Sequence, residues 1–141
     1  MNYPVPSQGL VIRYNYLWRK DYANGLSDSG KDRPCAIVMY APKKGKAAVV
    51  PITHTPPELG EDDLSIKIPP QICAEIGLDQ DDNWVRVSEL NVFDWPGDHL
   101  RTLPNNPLRF DYGMIPKEFF ETIRDRIVAL IKESRVTQTK R

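Results

Sequence analysis

The sequence predicts an α+β fold that is mainly β, with one long amphipathic helix near the C-terminal end. Short runs rich in β-branched and aromatic residues occupy most of the first 95 positions, which favours strands. Thirteen prolines and eight glycines separate these runs. Apolar residues then recur at helical spacing over about 116–135. Since 141 residues, 40% of them hydrophobic, fit one modest core, we expect a single domain over 1–141.

The first half of the chain predicts three strands. Residues 9–18 begin at a glycine and are largely β-branched or aromatic, which predicts the first strand. The polar segment 19–32 contains two glycines and predicts a long loop. Residues 34–41 and 46–53 are apolar on both alternating faces and flank the turn Pro-Lys-Lys-Gly. They predict a hairpin that is buried on both sides.

Shorter elements follow the hairpin. Two prolines at 56–57 end its second strand, because proline cannot continue a hydrogen-bonded ladder. Residues 64–68 predict a short strand and 69–77 a short helix, with proline at its start and glycine after its end. Alternating polarity over 83–90 predicts a half-buried strand. The segment 91–106 is predicted to be a loop.

The helix over about 116–135 has the strongest pattern in the chain. Phe120, Ile123 and Ile127 share one face, acidic residues lie in the first turns, and basic residues lie near the end, which suits the helix dipole. We expect the last residues, 136–141, to fray.

Charge is balanced overall, with 19 basic and 19 acidic side chains, but it is unevenly distributed. Residues 1–54 hold 8 basic and 3 acidic side chains, residues 55–100 hold 2 and 11, and residues 101–141 hold 9 and 5. Two interpretations stay open. One is a face that attracts phosphates or an acidic partner, and the other is a mixed, solvated surface.

The composition predicts a protein without a membrane partner. Mean hydropathy is −0.48, and the first residues lack the basic start and apolar run of a signal peptide. We therefore expect a cytoplasmic protein. Cys35 and Cys73 each lie alone in an apolar stretch and are expected to be buried free thiols.

The sequence lacks several catalytic motifs. Glycine-rich phosphate loops, the Gly-x-Ser-x-Gly elbow and His-Glu-x-x-His are absent, and the only histidines are His54 and His99. No cysteine pair has ligand spacing, so we expect neither a metal nor a cofactor. Catalysis would depend on Arg, Thr, Ser and carboxylates, with at most one histidine. That set suits cleavage of RNA by its own 2′-hydroxyl, which needs a base, an acid and a cation at the phosphate.

Several segments, in order, resemble a known family. Gly-Leu-Val-Ile begins at Gly9, Lys-Asp-Arg-Pro at 31–34 opens an apolar strand, and Val-Val-Pro-Ile-Thr closes the next strand at Thr53. A later match is Arg-Val-Ser-Glu-Leu-Asn-Val-Phe-Asp over 86–94. By their order and spacing, residues 9–95 resemble the MazF/PemK family of toxin-antitoxin growth inhibitors.

The resemblance implies a fold, an activity and partners. The fold would be an SH3-like small β-barrel of the CcdB/PemK type over about 9–95, assembled as a homodimer. The activity would be that of an mRNA interferase. This is a metal-independent, sequence-selective endoribonuclease that cleaves single-stranded RNA to a 2′,3′-cyclic phosphate and a 5′-hydroxyl. The second partner would be a cognate antitoxin protein with an acidic, partly disordered tail.

The resemblance also implies roles for individual residues. Arg33 resembles the family's catalytic arginine, which would stabilise the pentacovalent phosphate, and Thr53 resembles the threonine that positions the scissile phosphate. Arg86 matches a further arginine at the active site of some members. Asp28 lies where members often carry a loop glutamate. Lys31, in the same motif as Arg33, is expected to contact RNA.

One departure from the family concerns the general base. Ser88 stands where some members carry the aspartate proposed as base, and a serine cannot act as a base unaided. Asp28, Glu89 and His54 are the remaining candidates. In a regular strand Glu89 would face away from Ser88, and His54 away from Thr53. Ser88 and Glu89 are also candidates for RNA contact.

Two alternatives stay open. A non-catalytic toxin related to CcdB would use the same barrel to bind DNA gyrase, through a Trp-Gly-Ile-like end of its terminal helix, whereas this sequence ends Thr-Lys-Arg. An inactive relative would keep the fold without the base.

Overall fold

The sheet and helices of the computed structural model match the mainly β, α+β fold that the sequence predicts; the structure describes residues 2–141. Its strands are β1 (Leu10–Tyr14), β2 (Arg33–Ala41), β3 (Lys46–Thr53), β4 (Ser65–Lys67), β5 (Trp84–Arg86), β6 (Glu89–Asp94), β7 (Leu100–Arg101), β8 (Asp111–Met114) and β9 (Thr137–Lys140). Its helices are α1 (Arg19–Ala23), α2 (Pro70–Glu75) and α3 (Lys117–Lys132), with a 3-10 turn at Asp62–Leu64.

The sheet is organised around β3, which has three strand neighbours. β2 runs along one edge, while on the other edge β6 pairs with residues 46–49 and β5 with Ile52 and Thr53. The sequence of neighbours is β4-β5-β3-β2-β1-β7, with β8 also on β1, and these pairs are antiparallel. β9 lies parallel to β6. Within residues 2–141, no ladder joins β4 to β7, so hydrogen bonding does not close the sheet.

Two apolar cores lie on opposite sides of the sheet. Val11 contributes to the core beneath α3, together with Ile123 and Ile127, whereas Ile12 contributes to the core around Tyr14. Neighbouring strand residues point to opposite faces, which explains this division. Both faces of the central strands are therefore covered.

The hairpin and the long helix are confirmed. β2 and β3 match the predicted strands, and every residue of β3 after Lys46 is buried, whereas the end of β2 beyond Ile37 is partly exposed. α2 and α3 lie within the predicted helices at 69–77 and 116–135. Within residues 2–141 no helix has both the length and the apolar character needed to cross a bilayer. Both cysteines are free and buried, as predicted.

The single strand predicted over 83–90 is wrong, because the chain changes partners within it. Val87 N donates to Leu64 O at 2.9 Å, which continues the contact with β4, and Ser88 O accepts from Thr137 N at 3.0 Å, which begins the contact with β9. β5 therefore ends before this step and β6 starts after it. Pairing partners come from distant parts of the chain, so local alternation could not predict the interruption.

The loop predicted over 91–106 is also partly wrong. β6 continues to Asp94 and β7 lies within the same segment. Asparagine is a poor strand former, yet Asn91 is fully buried here. Its side chain accepts from Leu17 N and donates to Leu17 O, each at 2.9 Å. These two bonds satisfy the amide within the core.

The predicted ends of the chain's first and last elements need correction. β1 ends at Tyr14 rather than at 18, and α1 occupies the start of the predicted loop 19–32. Residues 136–141 do not fray, because β9 pairs with β6 and the Arg141 side chain is only 2% exposed. β8 was not predicted.

Candidate functional site

Two adjoining cavities lie where β2 begins and β3 ends. One has a volume of about 560 Å³ and the other about 870 Å³. Both are lined by the same four residues, Lys31, Arg33, Thr53 and His54. We call the two cavities together the Arg33 cleft. All four shared residues were candidates from the sequence.

The hairpin itself places Arg33 beside Thr53. The β2–β3 ladder reaches Cys35 opposite Pro51, and Arg33 and Thr53 each lie two residues further, at the adjacent ends of the two strands. Two residues twenty positions apart in sequence thus become neighbours at one end of the sheet.

Arg33 carries an unmet hydrogen-bond donor. Its Nε is buried and has no hydrogen-bond partner among the described residues. The guanidinium lies 5.1 Å from the centroid of the Trp18 ring, and no carboxylate of residues 2–141 lies within 4.0 Å of it. A buried donor without an acceptor costs free energy. Arg33 thus contributes to the cleft a positive charge that no described carboxylate neutralises.

Thr53 and Arg86 are held by neighbouring polar groups. Thr53 is 7% exposed, and its Oγ1 accepts from Thr55 N at 3.2 Å. Arg86 donates from Nε to Ser65 Oγ at 2.8 Å and lines the larger cavity. Like Arg33, the exposed Lys31 and the half-buried Arg86 form no ion pair with a described carboxylate. These positive charges are available to a ligand.

Glu89 lies in the larger cavity, unlike Ser88. Its Oε1 accepts from Tyr16 OH and from Arg19 N, each at 3.0 Å. Burial raises the pKa of the Glu89 carboxyl above its usual range, against the lowering effect of those two donors. We expected Ser88 to face the site and Glu89 to face away from it, as in a regular strand. The strand is interrupted just before Glu89, so this alternation does not hold. Ser88 does not line the cleft and supplies a carbonyl to β9.

His54 lies at the junction of the two cavities, directly after β3. Its Nε2 lies 2.9 Å from Asp79 Oδ2 and 3.1 Å from Asp79 Oδ1. Asp79 was not a candidate from the sequence, because its position depends on the loop after α2. A histidine followed 25 residues later by an aspartate is no recognisable motif.

Asp28 lies outside the Arg33 cleft. Its Oδ1 lies 3.5 Å from Arg141 Nη2 and 3.6 Å from His99 Nδ1, in a separate cavity of about 630 Å³. The structure thus brings together all the candidate site residues except Asp28 and Ser88.

The lining of the cleft is of mixed charge. Five basic side chains and six carboxylates line the two cavities. Asp32 contacts Arg101 and Asn15, and Asp79 contacts His54, so part of the negative charge is already paired. The uneven charge along the sequence therefore does not produce a uniformly basic surface at this site. None of the five basic side chains pairs with a described carboxylate, and Asp21, Glu58 and Glu61 are likewise unpaired among the described residues.

One group of side chains has the arrangement of metal ligands. His54, Asp79 and Asp81 offer ligand atoms that all lie within 4.8 Å of one another. All three residues are exposed, and the His54 ring already binds the Asp79 carboxylate.

No protein-family model, curated protein or solved structure matches this chain.

Proposed function

We propose that this protein is a metal-independent endoribonuclease that cleaves single-stranded RNA in the Arg33 cleft. The observation that carries the proposal is the Arg33 guanidinium, which has no carboxylate partner among the described residues and lines the same two cavities as Thr53. A guanidinium with free donors matches phosphate oxygens in geometry and charge. A ligand with a phosphodiester would satisfy it.

The reaction needs only side chains that line this cleft. The 2′-oxygen of the RNA attacks the adjacent phosphorus, and the bond from phosphorus to the 5′-oxygen breaks. Arg33 and Lys31 stabilise the added negative charge on the phosphoryl oxygens, and Thr53 donates its hydroxyl proton to one of them. A base removes the 2′-hydroxyl proton and an acid protonates the leaving 5′-oxygen. The products are a 2′,3′-cyclic phosphate and a 5′-hydroxyl.

In the proposal, Glu89 is the general acid and His54 is the general base. Both line the larger cavity together with Arg33 and Thr53. Burial raises the pKa of the Glu89 carboxyl, the direction that suits a general acid. His54 then takes the role of base. Asp28 takes neither role, because it lies in the separate cavity with His99.

Trp18 suits a substrate with unpaired bases. Its half-buried ring lines the larger cavity next to the Arg33 guanidinium. Aromatic rings bind single strands by stacking on successive bases, which a duplex does not offer. The proposal includes the SH3-like barrel, the homodimer and the antitoxin that the sequence resemblance implies. An acidic antitoxin segment would compete with RNA for Lys31, Arg33 and Arg86.

The test is digestion of single-stranded RNA in EDTA, with chemical identification of the fragment ends. We expect cyclic-phosphate ends from the wild-type protein and a loss of about 10²- to 10³-fold in rate for Arg33→Ala. Arg124→Ala is the matched control, because Arg124 is exposed on α3 away from the cleft. Intact RNA with the folded wild-type protein, or equal rates for Arg33→Ala and Arg124→Ala, would contradict the proposal.

A further inference from the structure

Asp79 binds one nitrogen of the His54 imidazole and leaves the other nitrogen free. Both Asp79 carboxylate oxygens lie within 3.1 Å of Nε2. Within residues 2–141, the ring's other nitrogen, Nδ1, has no side-chain partner. His54 also lines both cavities of the Arg33 cleft. One ring nitrogen is thus occupied by protein, and the other is free for a ligand.

The Asp79 carboxylate is itself held in place. Asn83, which is 3% exposed, donates from Nδ2 to Asp79 Oδ1 at 3.1 Å, and Asp81 N donates to the same oxygen at 3.2 Å. Asn83 also donates to Asp81 O at 2.9 Å, so its buried amide braces the whole turn. The carboxylate therefore has a defined orientation before any substrate binds.

The charge state of Asp79 determines where the imidazole carries its proton. Asn83 Nδ2 and Asp81 N both donate to Asp79 Oδ1, and hydrogen bonds of this kind favour the ionised form of a carboxyl. An ionised carboxylate only accepts hydrogen bonds. The proton of a neutral His54 ring must therefore reside on Nε2, which leaves the lone pair on Nδ1.

We propose that Asp79 is the positioning residue for His54, holding its Nδ1 lone pair toward the Arg33 cleft as the base that removes the 2′-hydroxyl proton. This inference rests on the proposed ribonuclease function and identifies the base that Ser88 cannot supply. The proton moves from the 2′-oxygen to Nδ1 as the new phosphorus–oxygen bond forms. Asp79 keeps its negative charge throughout and stabilises the imidazolium.

Glu89, the other base candidate from the sequence that lies in the cleft, fits the base role less well. Glu89 Oε1 is already engaged by Tyr16 and by the backbone of Arg19. Burial also raises the pKa of its carboxyl, a direction that suits a proton donor. This division leaves Glu89 as the acid and His54 as the base.

The first measurement is the tautomer of His54, by ¹⁵N NMR of the full-length protein without RNA, at a pH well above the ordinary histidine range. The chain has only two histidines, so His99→Gln assigns the signals. We expect the Nε2–H tautomer in the wild-type protein and a shift toward Nδ1–H in Asp79→Asn, whose amide can donate to Nε2. The Nδ1–H tautomer in the wild-type protein would overturn the inference.

The second measurement is RNA cleavage in EDTA by the same variants. Asp79→Asn should lower kcat by about 10²-fold or more and leave KM nearly unchanged, because His54 would present the wrong tautomer to the substrate. Asp81→Asn is the matched control, since it removes a neighbouring carboxylate but keeps the backbone N–H that binds Asp79. Equal losses in Asp79→Asn and Asp81→Asn would overturn the positioning role.

The two measurements separate this inference from the proposed function. Wild-type protein that leaves RNA intact contradicts the ribonuclease and the base role together. Cleavage by the wild-type protein that persists at full kcat in Asp79→Asn overturns the positioning role alone. Restoration of both the tautomer and kcat by Asp79→Glu, which keeps the acceptor, would support it.

Discussion

Arg33 begins β2 and Thr53 ends the neighbouring antiparallel β3, and both side chains line the same two cavities. Because the two residues belong to the most extensively paired strands of the sheet, their relative position does not depend on a mobile loop. No described carboxylate pairs with the Arg33 guanidinium, so its charge is available to an anionic ligand in the cleft.

The first prediction concerns the stability of Arg33→Ala. The substitution removes the unpartnered donor but also the contact with Trp18, so we expect the free energy of unfolding to change by less than about 1 kcal/mol. Urea unfolding followed by tryptophan fluorescence measures it. A loss of several kcal/mol would mean that Arg33 is a structural residue rather than part of a binding site.

The second prediction concerns anion binding in the cleft. Inorganic phosphate should raise the Tm of the wild-type protein in a concentration-dependent manner, because a ligand that binds only the folded state stabilises it. The rise should disappear in Arg33→Ala and persist in Arg124→Ala. Differential scanning fluorimetry at constant ionic strength measures both effects. The same rise in all three proteins would indicate a general salt effect.

The third prediction concerns Glu89→Gln. Burial raises the pKa of Glu89 in the folded state, so the folded protein holds this proton more tightly than the unfolded chain. The stabilisation of the folded state by this proton is present at low pH, and it is lost as pH rises through the folded-state pKa of Glu89. Glutamine keeps the acceptor for Tyr16 and Arg19 without the buried charge. We therefore expect equal or greater stability at neutral pH.

The same variant separates stability from catalysis. If Glu89 is the acid, Glu89→Gln should lower kcat by about 10²- to 10⁴-fold in the digestion assay while the protein remains folded. Unfolding curves and cleavage rates from one preparation test both effects. Full activity would remove Glu89 from the mechanism.

The fourth prediction concerns Arg141, whose side chain is 2% exposed. Its guanidinium donates to Ser27 O at 2.9 Å and to His99 Nδ1 at 3.1 Å, and also to Asn15 O. Arg141→Ala would remove these three hydrogen bonds, of which those to Asn15 and His99 are partly buried, so we expect a loss of about 2–3 kcal/mol in the free energy of unfolding. Lys140→Ala, at an exposed neighbour, should change it by less than about 0.5 kcal/mol. Similar losses in both variants would contradict this role.

The fifth prediction concerns the pH dependence of stability at His99. Burial, followed by the charge of Arg141, lowers the pKa of His99. The unfolded chain therefore takes up the proton first, and stability should fall as pH decreases below about 6.5, the ordinary histidine value. His99→Gln should reduce this slope. An unchanged slope in urea unfolding between neutral and mildly acidic pH would contradict the assignment.

The candidate site was predictable where it depends on adjacent or hairpin-paired residues. Lys31 and Arg33 share one short motif, and Thr53 and His54 end the next strand, so the hairpin alone brings the four together. Asp79 was not predictable, because its contact with His54 depends on the loop after α2. Nor was the position of Glu89, since a change of strand partner turns it into the cleft.

Local patterns in the sequence were enough to determine the α+β class, the β2–β3 hairpin, the α3 helix and the buried free thiols, because each depends on alternation, helical spacing or isolated apolar context within a short segment. Tertiary structure alone decided the pairing of β6 with β9, the burial of Asn91 and Arg141, and the removal of Asp28 from the cleft. These features depend on hydrogen bonds between residues as many as 127 positions apart. A buried polar side chain becomes favourable only when such distant partners meet.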